Sequence, residues 1–292
     1  MKRKECLVCQ NDNLTEIINL GSHAYADTFI SEQRQFEALP VYMLFCNLCK
    51  KCGQIQTGVE TKPEERYGLH NYSYTSANSA SSKNHWKKYT TEVLEKLLIE
   101  KKSTIIEIGS NDGFLLSQFK KSGHDVLGVD ASDYMCKIAI EKGIPSISTI
   151  FNEHTSKKIK QKVKTAPNLI VANNVFNHSD EPISFAKGVN NLLKPGGYFV
   201  FELPYWRCSI ESMKIDQIYH EHVSYFTARS SKQLMNSTGF EILDIEVVDY
   251  HGGSIRVYAK KVKNDPINNP IVDKMIQDET HLFELSTYQE MM

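Results

Sequence analysis

In 292 residues this chain has no apolar run of the length that a bilayer span needs, and it has no excess of either charge, with 34 basic against 35 acidic side chains. The first absence excludes a membrane-spanning helix. The second withdraws support for a nucleic acid or an acidic membrane surface as partner. Met1 to Lys4 is basic, but no apolar stretch follows, so neither a signal peptide nor a membrane anchor is expected. Seven cysteines, an odd number, without such a leader argue for a reducing, cytoplasmic compartment rather than a disulfide framework. No internal repeat is visible. The one dense basic run, Lys157, Lys158, Lys160, Lys162 and Lys164, has Ile159 and Val163 four apart and reads as an amphipathic helix with a solvated face.

What the chain does have, at its start, is cysteine in pairs. Cys6/Cys9 and Cys49/Cys52 each have the CxxC spacing that turns two thiolates inward on one knuckle, with about forty residues between the pairs. Four thiolates in a closed tetrahedral shell suit zinc and leave no position open for water, so the metal is expected to hold the fold rather than do chemistry. An iron centre in the same ligand set is the next reading. Cys46 lies three residues before Cys49, so Cys46/Cys49 is an alternative second pair. The run Lys50, Lys51, Cys52, Gly53 favours Cys49/Cys52, because it resembles a knuckle closing on a glycine.

Tyr72 to Ser82 is a polar stretch without clear periodicity, and Asn84 to Lys101 then shows apolar residues at helical spacing, so a boundary belongs near residue 80. This gives residues 1–80 as the cysteine domain and 81–262 as the main domain. In the main domain the pattern alternates. Thr104–Ile108, Asp125–Val129, Asn168–Ala172 and Tyr198–Leu203 read as strands, with helices at Phe114–Lys121, Asp133–Lys142, Pro182–Leu193 and Ser230–Ser237. Two β-rich runs, Glu241–Val248 and Ser254–Lys260, close the domain. The expected fold is an α/β, Rossmann-like, mostly parallel sheet covered on both faces, with an antiparallel edge.

Ligands of such sheets sit at the carboxyl ends of the strands, and the first strand exits through Glu107, Ile108, Gly109, Ser110, Asn111, Asp112 and Gly113. Gly109 permits a tight turn and close approach of backbone to ligand, Gly113 lets the next helix pack close, and Asp130 at the end of the second strand can accept from both ribose hydroxyls. This resembles motif I of class I S-adenosylmethionine-dependent methyltransferases, with Asn111 in place of the middle glycine of ExGxGxG. A dinucleotide site would need the GxGxxG spacing, which is missing. The Leu192, Leu193, Lys194, Pro195, Gly196, Gly197 turn before a strand is also common in that superfamily. A plain helix-to-strand turn explains it equally well.

Three further segments are more specific. Asp216 to Phe226 contains Tyr219, His220, Glu221 and His222; Asn173 to His178 follows the third strand; and His251, Gly252, Gly253, Ser254, Ile255 and Arg256 lie between the last two β runs. In order with the cysteine pairs, the Tyr72, Ser73, Tyr74 region and motif I, they are similar to the zinc-containing sugar C-methyltransferase family, which methylates nucleotide-linked 4-keto-6-deoxy sugars at C3. The likeness runs from Cys6 to about residue 262. It implies a dTDP-type keto-sugar substrate, with S-adenosylmethionine and a structural zinc as cofactors; a monomer is expected apart from that likeness. It further implies a cofactor site of Glu107, Gly109, Ser110, Asn111, Asp112, Gly113, Asp130, Ala131, Asn173 and Asn174, and a substrate side that includes Tyr72, Tyr74, His251 and Arg256. His222 is then the base that removes the C3 hydrogen, acidified by the 4-keto group, with Tyr219 and Glu221 in support and His178 as a donor near the developing oxyanion.

Plainer readings stand beside these. The HEH run lacks the four-residue spacing that puts two imidazoles of a zincin on one helical face, and in an extended run His220 and His222 would share a face as a structural pair. Tyr72 and Tyr74 could be packing aromatics, and Gly252/Gly253 would justify a turn without any ligand. The family continues into a further α/β domain, so residues 263–292 read as the start of a truncated C-terminal domain, which bears on turnover more than on fold. A methyltransferase of a hydroxyl or amine acceptor and a non-catalytic adenosylmethionine-binding protein are the alternative functions.

Overall fold

The structure is a computed structural model that describes residues 1–26, 32, 36, 38–62, 66, 78–263 and 269–291. It opens with a small antiparallel sheet of β1 (Leu14–His23), β2 (Tyr42–Cys49) and β3 (Ile55–Thr57). Helix α1 (Ala80–Lys96) follows, capped by the Ser79 side chain on the N–H of Ser82. It begins four residues before the apolar spacing suggests and ends at Leu97, because Leu98 and Lys102 take left-handed φ of 47° and 61°.

The main sheet and its helices are then laid down by β4 (Thr104–Ile108), α2 (Phe114–Lys121), β5 (Asp125–Asp130), α3 (Asp133–Glu141), β6 (Ser146–Ser148), α4 (Glu153–Lys162), β7 (Leu169–Asn173), α5 (Pro182–Leu192), β8 (Tyr198–Pro204), α6 (Trp206–Glu211), α7 (Ala228–Ser237), β10 (Phe240–Val248) and β11 (Ser254–Lys261), with the short β9 (Ser224–Tyr225) between α6 and α7 outside that sheet. Its order is β10-β11-β8-β7-β4-β5-β6, parallel from β8 to β6 and antiparallel at β11 and β10. Helix α4 stops at Lys162, so Ile159 is buried and Val163 lies beyond the helix as its cap. No helix among the described residues is long and apolar enough to cross a membrane.

The strict alternation of strand side chains divides the core in two. Ile106, Ile108, Ile170, Ala172, Phe199 and Phe201 face α5 and α7, while Ile105, Leu169, Val171 and Val200 face Trp86, Tyr89 and Val93 of α1 and Leu115, Leu116 and Phe119 of α2. Each of these large side chains, fully buried, contributes about 1.5–3 kcal/mol of apolar transfer. The chain folds β5 to one side of β4 and β7 to the other, so a crevice opens between the carboxyl ends of β4 and β7.

The small sheet is not closed by its own segment. Its fourth strand is β9, paired as Ile55↔Tyr225 and Gln56↔Ser224. Cys6, Val8, Cys49 and Cys52 lie in the same apolar cluster as α5 and α7. At the far end, α8 (Pro270–Asp278) packs on α7 and β10, and α9 (Leu285–Gln289) packs on β1. Between them Glu279, fully buried, accepts from the N–H groups of Ala228 (2.6 Å) and Arg229 (3.2 Å) at the start of α7 and from the Tyr205 hydroxyl (2.7 Å). A carboxylate there satisfies helix donors that would otherwise be orphaned.

Candidate active site

The Sγ atoms of Cys6, Cys9, Cys49 and Cys52 all lie within 4.8 Å of one another, with Cys6 to Cys52 at 3.5 Å and Cys9 to Cys49 at 3.6 Å. Zinc–sulfur bonds of about 2.3 Å in a tetrahedron require sulfurs about 3.8 Å apart, so this donor set fits a structural zinc. Both knuckles are closed by left-handed residues, Gln10 (φ 57°) and Gly53 (φ 74°), whose N–H groups return to the carbonyls of Cys6 and Cys49. Cys46 is outside the cluster: it is fully buried in β2 against Tyr225, and burial pushes its thiol far above the ordinary range.

At the crevice, Gly109 (φ 73°) returns its N–H to the Val129 carbonyl at 2.7 Å, and a Cβ there would stand 2.8 Å from Val175, which enters from the end of β7. A Cβ at Gly113 (φ 75°) would press Ala139 and Ile144 at 3.1 Å. The Asn111 that replaces the motif's middle glycine also has a positive φ, 47°, a region asparagine tolerates better than most side chains. Its N–H donates to Asp130 Oδ2 (2.8 Å), and the N–H of Ser132 donates to Oδ1 (2.8 Å), leaving one acceptor site on each oxygen for a ligand hydroxyl. Ala131 lies between these two contacts. Asp112 caps toward Phe114 N–H (3.3 Å) and binds Lys142 Nζ (2.7 Å), so it shapes the loop.

At the ends of β4 and β7 several buried polar atoms are orphaned: Glu107 Oε2, Ser110 Oγ and Asn174 Oδ1 have no hydrogen-bond partner. Burial first, then the charges of Asp130 and Asp112, drives the Glu107 carboxyl well above its usual range. Buried polar groups left unpaired cost about 1–3 kcal/mol each, and a polar ligand in the crevice would satisfy them.

Across the strand ends stands a cluster of imidazoles. The chain from Tyr219 to Val223 is a turn, with His222 N–H donating to Tyr219 O at 3.1 Å, and so the two histidines of the HEH run diverge instead of sharing a face. His220 turns to the Tyr42 carbonyl (3.3 Å), with its ring against Tyr25 and Tyr42. His222 turns the other way. Its Nδ1 lies 2.9 Å from the Gln217 carbonyl, which can only accept, so Nδ1 bears the proton, and the Nε2 lone pair accepts from the Tyr219 hydroxyl at 2.7 Å. The His178 ring stands edge-on to His222, with centroids 4.9 Å apart, and a backbone hydrogen bond links His178 to Glu221, itself buried.

Burial, then the Arg66 guanidinium, lowers His178 to about 4; burial, then His178, holds His222 well below its ordinary value. A folded pKa below the unfolded one means that the unfolded chain binds more protons between the two values. The stabilisation is therefore full above pH 6.5 and is lost as pH falls toward 4. For His178 alone the loss is on the order of 3 kcal/mol. Urea midpoints at pH 7.5 and pH 5 should show this fall, and His178→Asn should flatten it; an equal fall in the variant would assign it elsewhere.

The other expected residues are placed as follows. His251 (φ 50°) lies in the Tyr250–Gly253 turn, near enough to His222 to act on it electrostatically. A Cβ at Gly253 (φ 112°) would strike Cys208 at 2.6 Å, so this turn needs its glycine with or without a ligand. Arg256 is 1% exposed, and its guanidinium binds Glu202 (2.7 Å) and Glu92 (2.8 Å), which suits holding β11 to β8 and α1. Tyr72 and Tyr74 lie outside the described residues. Sequence reasoning missed Glu202, which also binds His85 Nε2 at 2.6 Å, and the Arg3–Asp180–Arg66 bridge beside His178; nothing local marks either, since each joins residues more than a hundred positions apart.

The methyltransferase domain family matches residues 82–245, more than half of the chain, and a family described as "Putative zinc binding domain" matches residues 6–67. The chain belongs to that methyltransferase family, with the class I, Rossmann-like adenosylmethionine methyltransferase fold and a four-cysteine zinc domain before it. It is similar to C-methyltransferase NovU of Streptomyces niveus, 28% identical over 275 residues, which cover 94% of this chain and 65% of that protein. The chain thus spans about two thirds of the length of this relative. Among solved structures, the chain is similar to an S-adenosylmethionine-dependent methyltransferase of Clostridium acetobutylicum (15% identity, 64% of this chain and 94% of that one, TM-score 0.49) and to magnesium protoporphyrin IX methyltransferase of Synechocystis (12% identity, 63% and 88%, TM-score 0.49).

With adenosylmethionine as the cofactor of this fold, Asp130→Ala should weaken its binding about 10- to 100-fold, as loss of charged hydrogen bonds to a ligand does. Calorimetric titration checks this, and an unchanged affinity would remove Asp130 from the cofactor site.

Proposed function

We propose that this protein is an adenosylmethionine-dependent C-methyltransferase that acts at C3 of a nucleotide-linked, dTDP-type 4-keto-6-deoxy sugar through an enolate. The observation that carries the reading is the disposition of His222: an imidazole held neutral, its Nδ1 proton given to the Gln217 carbonyl, its Nε2 lone pair on Tyr219. Methylation of oxygen or nitrogen needs no base for a carbon acid beside a ketone; C3 methylation does. The similarity to a protein named as a C-methyltransferase supports the same class.

In this reading His222 Nε2 takes the C3 proton, the C–H electron pair forms the C3–C4 double bond, and the carbonyl pair moves onto the 4-oxygen. Tyr219 releases Nε2 by turning its hydroxyl to that oxygen, and His178 is the second donor beside it; one such donor contributes about 3 to 4 kcal/mol to lowering the barrier. Bound adenosylmethionine would supply an electrophilic methyl group to C3, the S–CH3 bond pair leaving with sulfur as S-adenosylhomocysteine while the 4-keto group re-forms. Glu107, Asp130 and the Gly109 turn would hold the cofactor, and placing it beside C3 would supply much of the remaining rate.

The test is mass spectrometry of a thymidine-diphosphate 4-keto-6-deoxy sugar incubated with the protein and adenosylmethionine in heavy water. Gain of one methyl group establishes the reaction. Deuterium at C3 without methyl establishes the base and refutes transfer by this chain alone. Neither gain, with adenosylmethionine bound, overturns the proposal.

A further inference from the structure

Three residues before the first cysteine of the metal cluster, Arg3 is fixed by its N–H on the Gly58 carbonyl (2.8 Å), and its guanidinium reaches Asp180 Oδ1 at 2.6 Å. The same carboxylate is gripped by Arg66, whose NH1 lies 3.3 Å from Oδ1 and whose NH2 contacts Oδ2. Arg66 is in turn tied to the Thr61 carbonyl (3.2 Å) and hydroxyl (2.9 Å). Both arginines are buried, at 8% and 4% exposure. Both belong to the cysteine-domain side of the molecule. Asp180 belongs to the other side: it follows the short 3-10 turn Phe176–His178 by two residues.

We infer that Asp180 is a positioning residue, the ion-pair link through which the four-cysteine domain sets the place of His178. His222 is tied to the same domain by backbone pairing, through β9 on β3 and the Thr57 N–H on the Val223 carbonyl (3.0 Å). His178 has no such strand, and the carboxylate two residues on does the equivalent work. The Arg66 guanidinium, held by that carboxylate, adds to burial in lowering the His178 imidazole. The geometry is also asymmetric in a useful way. Cutting the Arg3 arm releases only the tether to the metal end, whereas cutting Asp180 releases both arms.

The inference rests on the proposed function only in treating His178 as a working residue, and its principal readout needs no turnover. The experiment is nitrogen-15 NMR of the histidine side chains in the zinc-loaded protein, with Asp180→Asn, Asp180→Glu and Arg3→Gln beside the parent. Asp180→Asn and Arg3→Gln are expected to shift the His178 imidazole signals and change their titration, leaving those of His124 unmoved, while Asp180→Glu restores them in part. If turnover is measurable, kcat should fall about 10- to 100-fold in Asp180→Asn with KM within about twofold, as for a misplaced group. Zinc removal by a chelator should move the His178 signals in the parent and move them less in Asp180→Asn. His178 signals unaltered in both Asp180→Asn and Arg3→Gln, whatever the melting temperatures do, overturn the inference; so does an equal chelator response in parent and Asp180→Asn. Loss of turnover in the parent itself would count against the proposed function and leave the NMR result to decide this one.

Discussion

His222→Asn is expected to slow deuterium exchange at C3 and methyl transfer together by about 10²- to 10⁴-fold, the range that a general base contributes. Asparagine is chosen because its side-chain amide can still donate to the Gln217 carbonyl from the place of Nδ1, yet it offers no basic lone pair toward Tyr219. Truncation to alanine would instead orphan that carbonyl at about 1–3 kcal/mol and mix a folding defect with the chemical one. Adenosylmethionine affinity should be unchanged, since the proposed cofactor site lies at the exits of β4, β5 and β7 and takes nothing from the Tyr219–Val223 turn. Calorimetry and exchange measured on the same sample therefore separate the two sites. Exchange at the parent rate in His222→Asn would remove His222 as the base and pass the role to Tyr219.

The parts of this site legible in the sequence are those written in consecutive residues. The β4 turn could be read because a strand, a glycine-rich loop and a helix occur in order, and because Gly109 and Gly113 are demanded by contacts with Val175, Ala139 and Ile144 that any close-packed turn of this kind makes. The cysteine knuckles were legible for the same reason, and geometry chose Cys49/Cys52 over Cys46, which faces Tyr225 instead. Side-chain direction in the HEH run was not legible. It depends on a turn set by Tyr219 and His222 and on strand β9 being recruited to the other sheet, where pairing with residues 55–56 is decided by tertiary structure. The boundary near residue 80 marks a change in composition; it does not reveal that β9, Asp180 and Glu279 stitch the regions together from both directions. Arg256 illustrates the converse. The family resemblance suggested a ligand contact, while its neighbours Glu202 and Glu92, far away in sequence, already occupy its guanidinium.

The same stitching makes the metal site the second place where one substitution should have a large effect. Zinc held by four cysteines is worth about 10–16 kcal/mol of apparent binding free energy in isolated domains, and a serine hydroxyl in place of one thiolate supplies neither the softness nor the charge. Cys49→Ser should therefore take the zinc content from one per chain to near zero, by metal analysis. Even a few kcal/mol of lost stability in a chain of this size lowers the melting temperature by on the order of 10 °C. The damage should not stay in the first domain. Cys6, Cys49 and Cys52 share an apolar cluster with Phe185 of α5 and Leu234 of α7, and β3, which begins three residues after Cys52, carries β9 and with it the turn that aims His222. Loss of metal should thus cost C3 exchange while the β4 crevice still binds adenosylmethionine, because that crevice lies in the larger sheet, whose strands do not pair with the cysteine region. Cys46→Ser is the control: it places a hydroxyl beside Tyr225 and should leave the metal in place. Retained zinc in Cys49→Ser with zinc lost in Cys46→Ser would reverse the ligand assignment.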